Sequence, residues 1–435
     1  MKNGELAVKM RVGRYGLCMM LAACGTAAST NNQSSSTNMS VAANSSGDSL
    51  GTSEPTPAGA PFAIRAIATF NSPWAMAFLP GSTTAIVTEK PGRVWLVDTK
   101  SGTKQPVSGA PRVVVSDQGG LLDVAVSPRF AADEQVYLTY AEPSKNGGSG
   151  LAMARATLVR TAGGARLQNM QLLWHDPAGG EGGQFGAIIA FAPDGKSLFL
   201  SSGERQRFTP AQDLSQPLGK ILHLTLDGKP APGNPWAGKT GASVVTITDP
   251  PRDTESAKSA RGRKFTWPGP NVTPAETWSL GHRNPYGLTF DSQGRLWETE
   301  MGPRGGDELN LILPGKNYGW PLVSEGKNYD GVPIPRHSSR PDMVPPKLYW
   351  VPSISPTALL IYTGNLFPQW KGSGFIGALS GQVLVRVTFN GDSAQKADRW
   401  DMGHRIRWVG QGPDGAIYLL EDGDGARLLR LTPSR

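Results

Sequence analysis

The feature that most constrains the fold is a repeated unit of two short apolar strands joined by a tight turn. Each copy has an alternating apolar segment, then a turn, then a second strand that starts after Gly, Asp or Lys. Six copies follow one another from about Pro61 onward, at intervals of roughly 45 to 100 residues. Their first strands are predicted at residues 74–78, 121–126, 188–191, 286–290, 357–362 and 406–409.

Six copies of this unit predict an all-β fold, a β-propeller of six four-stranded antiparallel blades around a central axis. Such an array closes on itself and protects its strand edges. Asp194-Gly195 and Asp414-Gly415 supply the positive φ that a tight hairpin turn needs. A β-sandwich with insertions is the alternative, and it is disfavoured because sandwiches seldom extend over so long a chain.

The N-terminal segment predicts export from the cytoplasm. Basic residues up to Arg14 precede the apolar run 15–23, which is too short to span a bilayer but suits a signal peptide. The run ends in Leu21-Ala-Ala-Cys24, which resembles the cleavage motif of bacterial lipoproteins. We therefore expect a signal peptide at 1–23 and a lipid on Cys24, and an ordinary secretory peptide cut elsewhere is the alternative.

The predicted location is the periplasmic side of the cell envelope, with the lipid as the attachment to the membrane. By the same resemblance to lipoproteins, Gly25 after the cysteine favours the outer membrane over the inner. Residues 24–60 are rich in Ser, Thr and Asn and have too little apolar content to fold, so they predict a flexible tether. The propeller then occupies residues 61–435.

Cysteine content and charge narrow the function. The two cysteines, Cys18 and Cys24, precede the predicted propeller, which therefore can hold no disulfide or thiolate metal site. The formal net charge of +8 comes partly from the export segment and partly from the basic stretch 252–264, which we expect to be a solvated insertion loop. No nucleic-acid recognition module occurs in the sequence, so nucleic acid is not an expected partner.

Two glycine-containing loops before predicted strands are candidates for a ligand site, because inner-strand loops of a propeller converge on its axis. Gln118 precedes two glycines that let backbone approach a ligand, although a plain turn is the alternative. Arg283 and Asn284 lie in a loop whose shape is fixed by a proline and a glycine. Such donors suit an anionic or carbonyl-bearing ligand, and pairing of the arginine with a structural carboxylate is the alternative.

A third loop, residues 300–310, combines glycines with paired acids. Gly302 and Pro303 offer backbone carbonyls, and Asp307 is followed directly by a second acid, Glu308. These are the hard oxygen ligands that Ca²⁺ prefers, so the loop predicts a calcium site. A simple acidic turn is the alternative.

A fourth segment places two arginines, Arg405 and Arg407, two residues apart at the start of an apolar strand. In a strand this spacing puts both guanidinium groups on one face. Because they enter an apolar strand, we expect the pair to meet an anion rather than water alone.

Taken together and in this order, the motifs resemble those of the PQQ-dependent soluble aldose sugar dehydrogenases, the glucose/sorbosone dehydrogenase family. The likeness covers roughly residues 67–431. It implies a six-bladed propeller that oxidises an aldose or related sugar alcohol group, with pyrroloquinoline quinone (PQQ) as cofactor, Ca²⁺ as electrophile and a small-molecule sugar as substrate. It rests on the segments Gln118-Gly-Gly-Leu-Leu, Gly281-His-Arg-Asn-Pro-Tyr-Gly, Met301-Gly-Pro-Arg-Gly-Gly-Asp-Glu, Lys316-Asn-Tyr-Gly-Trp-Pro, Phe375-Ile-Gly-Ala-Leu and Arg405-Ile-Arg.

Carried over residue by residue, the family pattern implies contacts with PQQ and with the metal. Cationic and amide donors suit PQQ because it is a tricarboxylate. The carbonyls of Gly302 and Pro303 are expected to bind Ca²⁺, Asp307 to support their loop, and the metal to polarise the quinone carbonyl. The predicted PQQ contacts are Gln118, Arg283, Asn284, Arg405 and Arg407.

Two positions depart from the family pattern. Gln184, with Arg283 one of the two predicted catalytic positions, stands where the family has its general-base histidine. A neutral amide can orient a sugar hydroxyl but cannot accept its proton, and loss of a general base typically costs about 10²- to 10⁴-fold in rate. Ser380 stands where the family often has a lysine that reaches the cofactor. Among the histidines, His175 is nearest in sequence to Gln184 and is the one that could reach the same loop.

Three hypotheses follow for the function. The first is a PQQ-dependent sugar dehydrogenase with slow or altered chemistry, whose electron acceptor the sequence does not indicate. The second is a catalytically silent propeller that binds carbohydrate, quinone or a protein partner at the cell envelope. The third is a Ca²⁺-dependent lactonase, which the order of the motifs favours less.

Overall fold

The computed structural model describes residues 51–145, 147–248 and 262–434, and nearly all of their regular structure is β-strand. The prediction of an all-β fold is confirmed. The helical turns in this part of the chain are α1 (Phe130–Asp133), α2 (Thr273–Glu276) and the 3-10 turns Thr209–Gln212, His337–Ser339 and Pro368–Trp370. The strands are β1 (Thr52–Glu54), β2 (Phe62–Phe70), β3 (Pro73–Phe78), β4 (Thr84–Glu89), β5 (Arg93–Asp98), β6 (Lys104–Ser108), β7 (Leu121–Val126), β8 (Gln135–Pro143), β9 (Ser149–Thr161), β10 (Gly164–His175), β11 (Gly186–Phe191), β12 (Ser197–Ser202), β13 (Lys220–Thr225), β14 (Val244–Thr248), β15 (Gly262–Thr266), β16 (Thr277–Leu280), β17 (Pro285–Phe290), β18 (Leu296–Glu300), β19 (Asp307–Ile312), β20 (Leu348–Trp350), β21 (Pro356–Ile361), β22 (Gly374–Ala378), β23 (Val383–Asn390), β24 (Ser393–Asp401), β25 (Ile406–Gln411), β26 (Ile417–Glu421) and β27 (Ala426–Pro433).

Most strands form antiparallel runs of four in which strands close in sequence pair, and β14 and β15 form a separate two-stranded sheet between β13 and β16 in the chain. Three sheets have the orders β11-β12-β13-β16, β17-β18-β19-β20 and β21-β22-β23-β24. A larger sheet, β3-β4-β5-β6-β10-β9-β8-β7, consists of two such runs that meet through a short parallel contact between β6 and β10. Each run therefore contains the strand pair predicted from the sequence and extends it outward by two more strands.

The two ends of the chain close the array. β2 pairs with β27, so the order of this sheet is β1-β2-β27-β26-β25. The first strand of each run contacts the first strand of the next, in the cycle β3, β7, β11, β17, β21, β25 and back to β3. A closed cycle of first strands around a common axis is the arrangement of a β-propeller.

Aromatic packing fixes β2 to the part of the chain that forms the neighbouring sheet β21-β22-β23-β24. Phe62 of β2 is fully buried and meets Trp400 edge to face, with ring centroids 5.2 Å apart, and Trp370 at 6.2 Å. Such ring pairs contribute about 0.5–1.5 kcal/mol each beyond the area they bury. The closure is therefore held by side chains as well as by the hydrogen bonds of β2 to β27.

Two sequence-based expectations differ from the structure, and a third concerns residues that the structure does not describe. β1 lies inside the stretch predicted to be a tether and pairs with β2, so regular structure begins before the predicted boundary at residue 61. Arg263 and Lys264, expected in an insertion loop, lie in β15, which pairs with β14. The predicted signal peptide and Cys24 lie outside the described residues. Where the chain is described, no helix has the length and apolarity needed to cross a membrane.

Candidate active site

One end of the sheets carries most of the polar residues singled out from the sequence. Gln118, Gln184, Arg283 and Arg405 come directly before the first strands β7, β11, β17 and β25. Residues that follow the second strands, such as Asp422 after β26, reach the same end because the paired strands are antiparallel. The topology therefore gathers two sets of loops at one end of the axis.

A cavity of about 290 Å³, called the central cavity below, lies among these loops. Gln118, Arg405 and Arg407 line it, together with Trp74 and Lys90. The cation of Arg407 lies over the indole ring of Trp74, with 4.4 Å between the guanidinium carbon and the ring centroid. The structure thus brings the predicted amide and the two predicted arginines to a single cavity.

The two arginines share one carboxylate. Asp422 accepts from Nε of Arg405 at 2.8 Å and from a terminal nitrogen of Arg407 at 2.7 Å. Burial opposes ionisation of Asp422, but Arg407 and Arg405 outweigh it and lower the pKa of this carboxyl. The arginine pair therefore already meets an anion within the protein, the carboxylate of Asp422. This shared carboxylate fixes both guanidinium groups at the cavity wall.

Gln118 joins the loops of three first strands. Its side-chain oxygen accepts from the backbone N–H of Gln184 at 3.0 Å, from the hydroxyl of Tyr286 at 2.9 Å and from Asn284 at 3.4 Å. Asn284, a predicted cofactor contact, is fully buried and also accepts from the backbone N–H of Gly186. Three donors occupy the oxygen of Gln118, so its NH₂ group is the part that can meet a ligand.

Arg283 is buried and bound by carbonyl groups. One terminal nitrogen donates to the carbonyls of Met301 at 2.9 Å and Gly302 at 2.7 Å, and the guanidinium lies over the ring of Trp320. Its Nε is buried without a hydrogen-bond partner among the described residues. A buried donor without a partner costs free energy, which a ligand acceptor can restore.

Gln184, which the resemblance predicts to stand at the position of the family base, bridges a cation and a buried acid. Its backbone has a φ of 57°, a conformation that side chains other than glycine seldom adopt. With the amide oriented so that both ends have partners, its oxygen accepts from Arg283 at 2.8 Å and its nitrogen donates to Glu204. Burial raises the pKa of Glu204 to about 7, while Arg283 acts in the opposite direction.

Two buried arginines that the sequence analysis missed hold the loop that presents Gln184. Arg205 donates to the carbonyl of Gly182 at 2.7 Å and lies 3.8 Å from the centroid of the Phe185 ring. Arg207 donates to the carbonyl of Gly179 at 2.9 Å. Both arginines and Glu204 follow β12, a second strand, and residues just after second strands are the signal that could have found them.

The loop predicted to bind Ca²⁺ is held by its own hydrogen bonds. Asp307 accepts from the backbone N–H of Gly302 at 2.9 Å and, through its other oxygen, from those of Ile354 and Ser355. The carbonyl of Gly302 already accepts from Arg283, and that of Pro303 receives a long contact of 3.5 Å from the Ser353 hydroxyl. The structure places Asp307 behind the loop, where it fixes the loop's shape.

A second group of potential metal ligands lies next to the Arg283 loop. His282, Glu298 and Glu300 are buried, and one potential ligand atom of each lies within 4.8 Å of the others. Burial and the neighbouring Glu300 raise the pKa of Glu298 well above its ordinary value, and one Glu298 oxygen has no partner in the described part of the chain. These residues have the chemistry to hold a cation close to Arg283.

Comparison with known proteins identifies the family. The model of the Glucose / Sorbosone dehydrogenase family matches residues 70–259 and 266–430. The chain belongs to the glucose/sorbosone dehydrogenase family. The resemblance recognised in the sequence is confirmed.

Relatives within this family cover most of the chain. Aldose sugar dehydrogenase YliI of Escherichia coli is 34% identical over 370 residues, which are 83% of this chain and 90% of the relative. The solved structure of the soluble aldose sugar dehydrogenase from E. coli in the apo form has a TM-score of 0.72 at 32% identity, covering 85% of this chain and 99% of that one. The PQQ-bound aldose sugar dehydrogenase from Streptomyces coelicolor has a TM-score of 0.62 at 27% identity, covering 87% of this chain and 100% of that one.

The other positions predicted to bear on departures from the family pattern, Ser380 and His175, also have a structural context. Leu379 lines the central cavity, and the hydroxyl of Ser380 beside it bonds to that of Ser355 at 2.7 Å, so this position contributes no charge. His175 pairs with Glu142 at 2.8 Å in a separate cleft of about 560 Å³. No contact joins it to Gln184 in the described structure.

Proposed function

We propose that this member of the glucose/sorbosone dehydrogenase family binds PQQ in the central cavity and oxidises an aldose or a related sugar alcohol group. The observation that carries the proposal is the convergence of Gln118, Arg405 and Arg407 on one cavity of about 290 Å³. PQQ carries three carboxylates, and guanidinium groups match carboxylates in charge and in planar geometry. The PQQ-bound relative from Streptomyces coelicolor supports the same ligand.

One donor on the cavity wall fits such an anion, and a second, on Arg283, lies in the adjoining pocket, which shares Met301 with the cavity. The NH₂ group of Gln118 faces a ligand because three protein donors hold its oxygen, and the buried Nε of Arg283 has no partner among the described residues. The fixed Gln118 donor favours a rigid ligand, because it does not have to reorganise when the ligand binds.

The proposed chemistry removes a hydride from the sugar carbon and a proton from its hydroxyl. When bound, PQQ supplies the two-electron acceptor for the hydride. Gln184 orients the hydroxyl but cannot take its proton. Glu204, whose pKa burial raises to about 7, is the titratable group in contact with Gln184. It lies behind the amide, so we propose slow proton removal and a low turnover number.

We propose Ca²⁺ as an accompanying cation, without routing the reaction through it. The carbonyls of Gly302 and Pro303 are the ligands implied by the resemblance, but Gly302 already accepts from the Arg283 guanidinium at 2.7 Å. A divalent cation at this oxygen lies next to that positive group and is repelled by it, so the fit is incomplete. The test is the affinity for PQQ with Ca²⁺ and with a chelator, and equal values would exclude a calcium-assisted site.

We also propose that the closed cycle of four-stranded runs is a six-bladed propeller, and that residues 1–23 are a lipoprotein signal peptide. Cys24 would carry the lipid and residues up to the first strand would act as a tether. The protein would then lie on the periplasmic side of the envelope, at the outer membrane. Metabolic labelling with a radioactive fatty acid tests this location, and the Cys24→Ser variant should lose the label.

The experiment that tests the function is a titration of the purified full-length protein with PQQ, followed by addition of aldoses. Binding is measured by equilibrium dialysis, and turnover by the bleaching of an artificial dye that accepts electrons. Saturable binding with slow, sugar-dependent bleaching is the expected result. Failure to bind PQQ would overturn the proposal.

A silent PQQ-binding propeller is the second candidate, favoured by the fact that both ends of the Gln184 amide have protein partners. We predict that Gln184→His restores a base beside Glu204 and raises the turnover number by about 10²- to 10⁴-fold. Gln293→His, at an exposed turn, is the matched control and should change nothing. Dye bleaching after saturation with PQQ is the measurement. No gain from Gln184→His would mean that proton removal does not limit the reaction.

A further inference from the structure

Lys90 faces the central cavity although none of the sequence motifs included it. It follows β4 directly, as Leu379 follows β22, so these two positions are equivalent in two repeats, and Ser380 lies one residue beyond. Both β4 and β22 are second strands, and their ends therefore reach the same end of the axis. Lys90 and Leu379 line the same cavity, whereas Ser380 is bonded to Ser355 and has no charge.

The side chain of Lys90 is held in place but keeps donors for a ligand. Its ammonium group donates to the backbone carbonyl of Asp117, the residue before Gln118. An ammonium group has three N–H donors, and no other described residue accepts from this one. The backbone of Lys90 is fixed as well, because its N–H donates to Ser72 at 2.8 Å and its carbonyl accepts from Leu121 at 2.9 Å.

The charges around the cavity favour an added anion. Lys90, Arg405 and Arg407 line it as cations, and Asp117 and Asp422 as acids. Asp422 already pairs with the two arginines, so its negative charge is largely balanced by them. Burial and the nearby Arg407 lower the pKa of Lys90 more than Asp422 and Asp117 raise it. The charged form of Lys90 is therefore disfavoured in the free protein. A carboxylate between Lys90 and Arg407 relieves that repulsion.

We propose that Lys90 is a cofactor-binding residue, which pairs with a carboxylate of PQQ and replaces the positive charge that Ser380 does not provide. The inference rests on the proposed binding of PQQ. Specificity for a multiply charged quinone is then kept in this chain, with the cation supplied from β4 in place of β22.

The test compares PQQ with its trimethyl ester, which has the same ring system but no carboxylate charge. Dissociation constants are measured by equilibrium dialysis with the purified full-length protein. The Lys90→Met variant should bind PQQ about tenfold to hundredfold more weakly, as expected for loss of one charge-assisted hydrogen bond, and should bind the ester as the unchanged protein does. Lys100→Met, which removes the same charge from an exposed site, is the control.

A second variant keeps the proposal testable if Lys90→Met perturbs the loop. Adding Ser380→Lys to Lys90→Met returns a cation next to Leu379, the residue equivalent to Lys90, and should restore part of the affinity for PQQ. Equal loss for PQQ and the ester would show that Lys90 only shapes the loop of Asp117 and would overturn the proposal, as would no loss at all. If the unchanged protein binds neither ligand, the proposed function itself fails.

Discussion

Several titratable side chains of this molecule are buried, and burial shifts their pKa values so that stability depends on pH. Glu276 accepts a hydrogen bond from the indole N–H of Trp174 at 3.1 Å, and burial raises its pKa to about 7. In the unfolded chain the same carboxyl loses its proton near its ordinary value of 4.5. Between these two pH values the folded state holds a proton that the unfolded state has released. This residue therefore makes the protein less stable as the pH rises from about 4.5 to about 7.

We predict that Glu276→Gln removes this dependence. Glutamine keeps an oxygen acceptor for Trp174 and cannot ionise, so the variant should be more stable than the unchanged protein by about 1–3 kcal/mol at pH 8 and equal to it near pH 4.5. Urea unfolding at the two pH values is the measurement. Glu134→Gln, at an exposed residue, is the control. A variant that is less stable at pH 8 would show that the carboxylate is stabilised by its surroundings.

The sequence predicted some residues of the site and missed others for a physical reason. Gln118, Arg283 and Arg405 stand in glycine-containing loops directly before apolar strands, a local pattern that can be recognised without the structure. Lys90 and Glu204 matter through contacts with other loops: Lys90 bonds to Asp117, 27 residues away. Such contacts depend on which strand ends meet, and this follows from the sheet topology rather than from neighbouring residues.

At the scale of whole elements, inner strands were predictable and outer strands were not. β7 coincides with the predicted segment 121–126 because most of this inner strand is buried and the run is largely apolar. The outer strand β24 is largely exposed and carries charged residues along most of its length, so it has no apolar alternation to recognise. The outer strands were expected only because a propeller blade has four.

The closing strand gives a prediction at this scale. β27 lies between β2 and β26, and Leu429 pairs with Ala66 on one side and Leu419 on the other. We predict that Leu429→Pro lowers the free energy of unfolding by about 3 kcal/mol or more, because it removes a hydrogen bond from a strand paired on both sides together with a buried side chain. Urea unfolding followed by tryptophan fluorescence measures the change.

An edge strand provides the matched control. Ala397 is exposed on β24 at an irregularity in its pairing with β23, where a proline removes little. Ala397→Pro should therefore cost far less than Leu429→Pro. Similar losses for the two variants would mean that closure by β27 adds nothing beyond ordinary strand pairing.

For the whole molecule, the proposed ligand should act as a stabiliser. The cavity is lined by Trp74, near the start of the fold, and Asp422, near its end, so a bound anion contacts both ends of the cycle. PQQ at about 100 times its dissociation constant should add about 2.7 kcal/mol to the free energy of unfolding and raise the melting temperature by a few degrees. Calorimetry with PQQ, and with citrate as a control tricarboxylate, tests this. Equal shifts with citrate would show that the site selects charge alone.

The pairing of β2 with β27 also affects when the molecule can complete its fold. Beside that pairing, Arg427 of β27 bonds to Glu54 of β1 at 2.7 Å across 373 residues of sequence, so the first and the last described strands are joined. Long loops close slowly and at an entropic cost. A chain still emerging from a ribosome or crossing a membrane lacks its final strand and so cannot complete the ring. If the chain is exported as proposed, this architecture keeps it incompletely folded until its last segment has crossed the membrane.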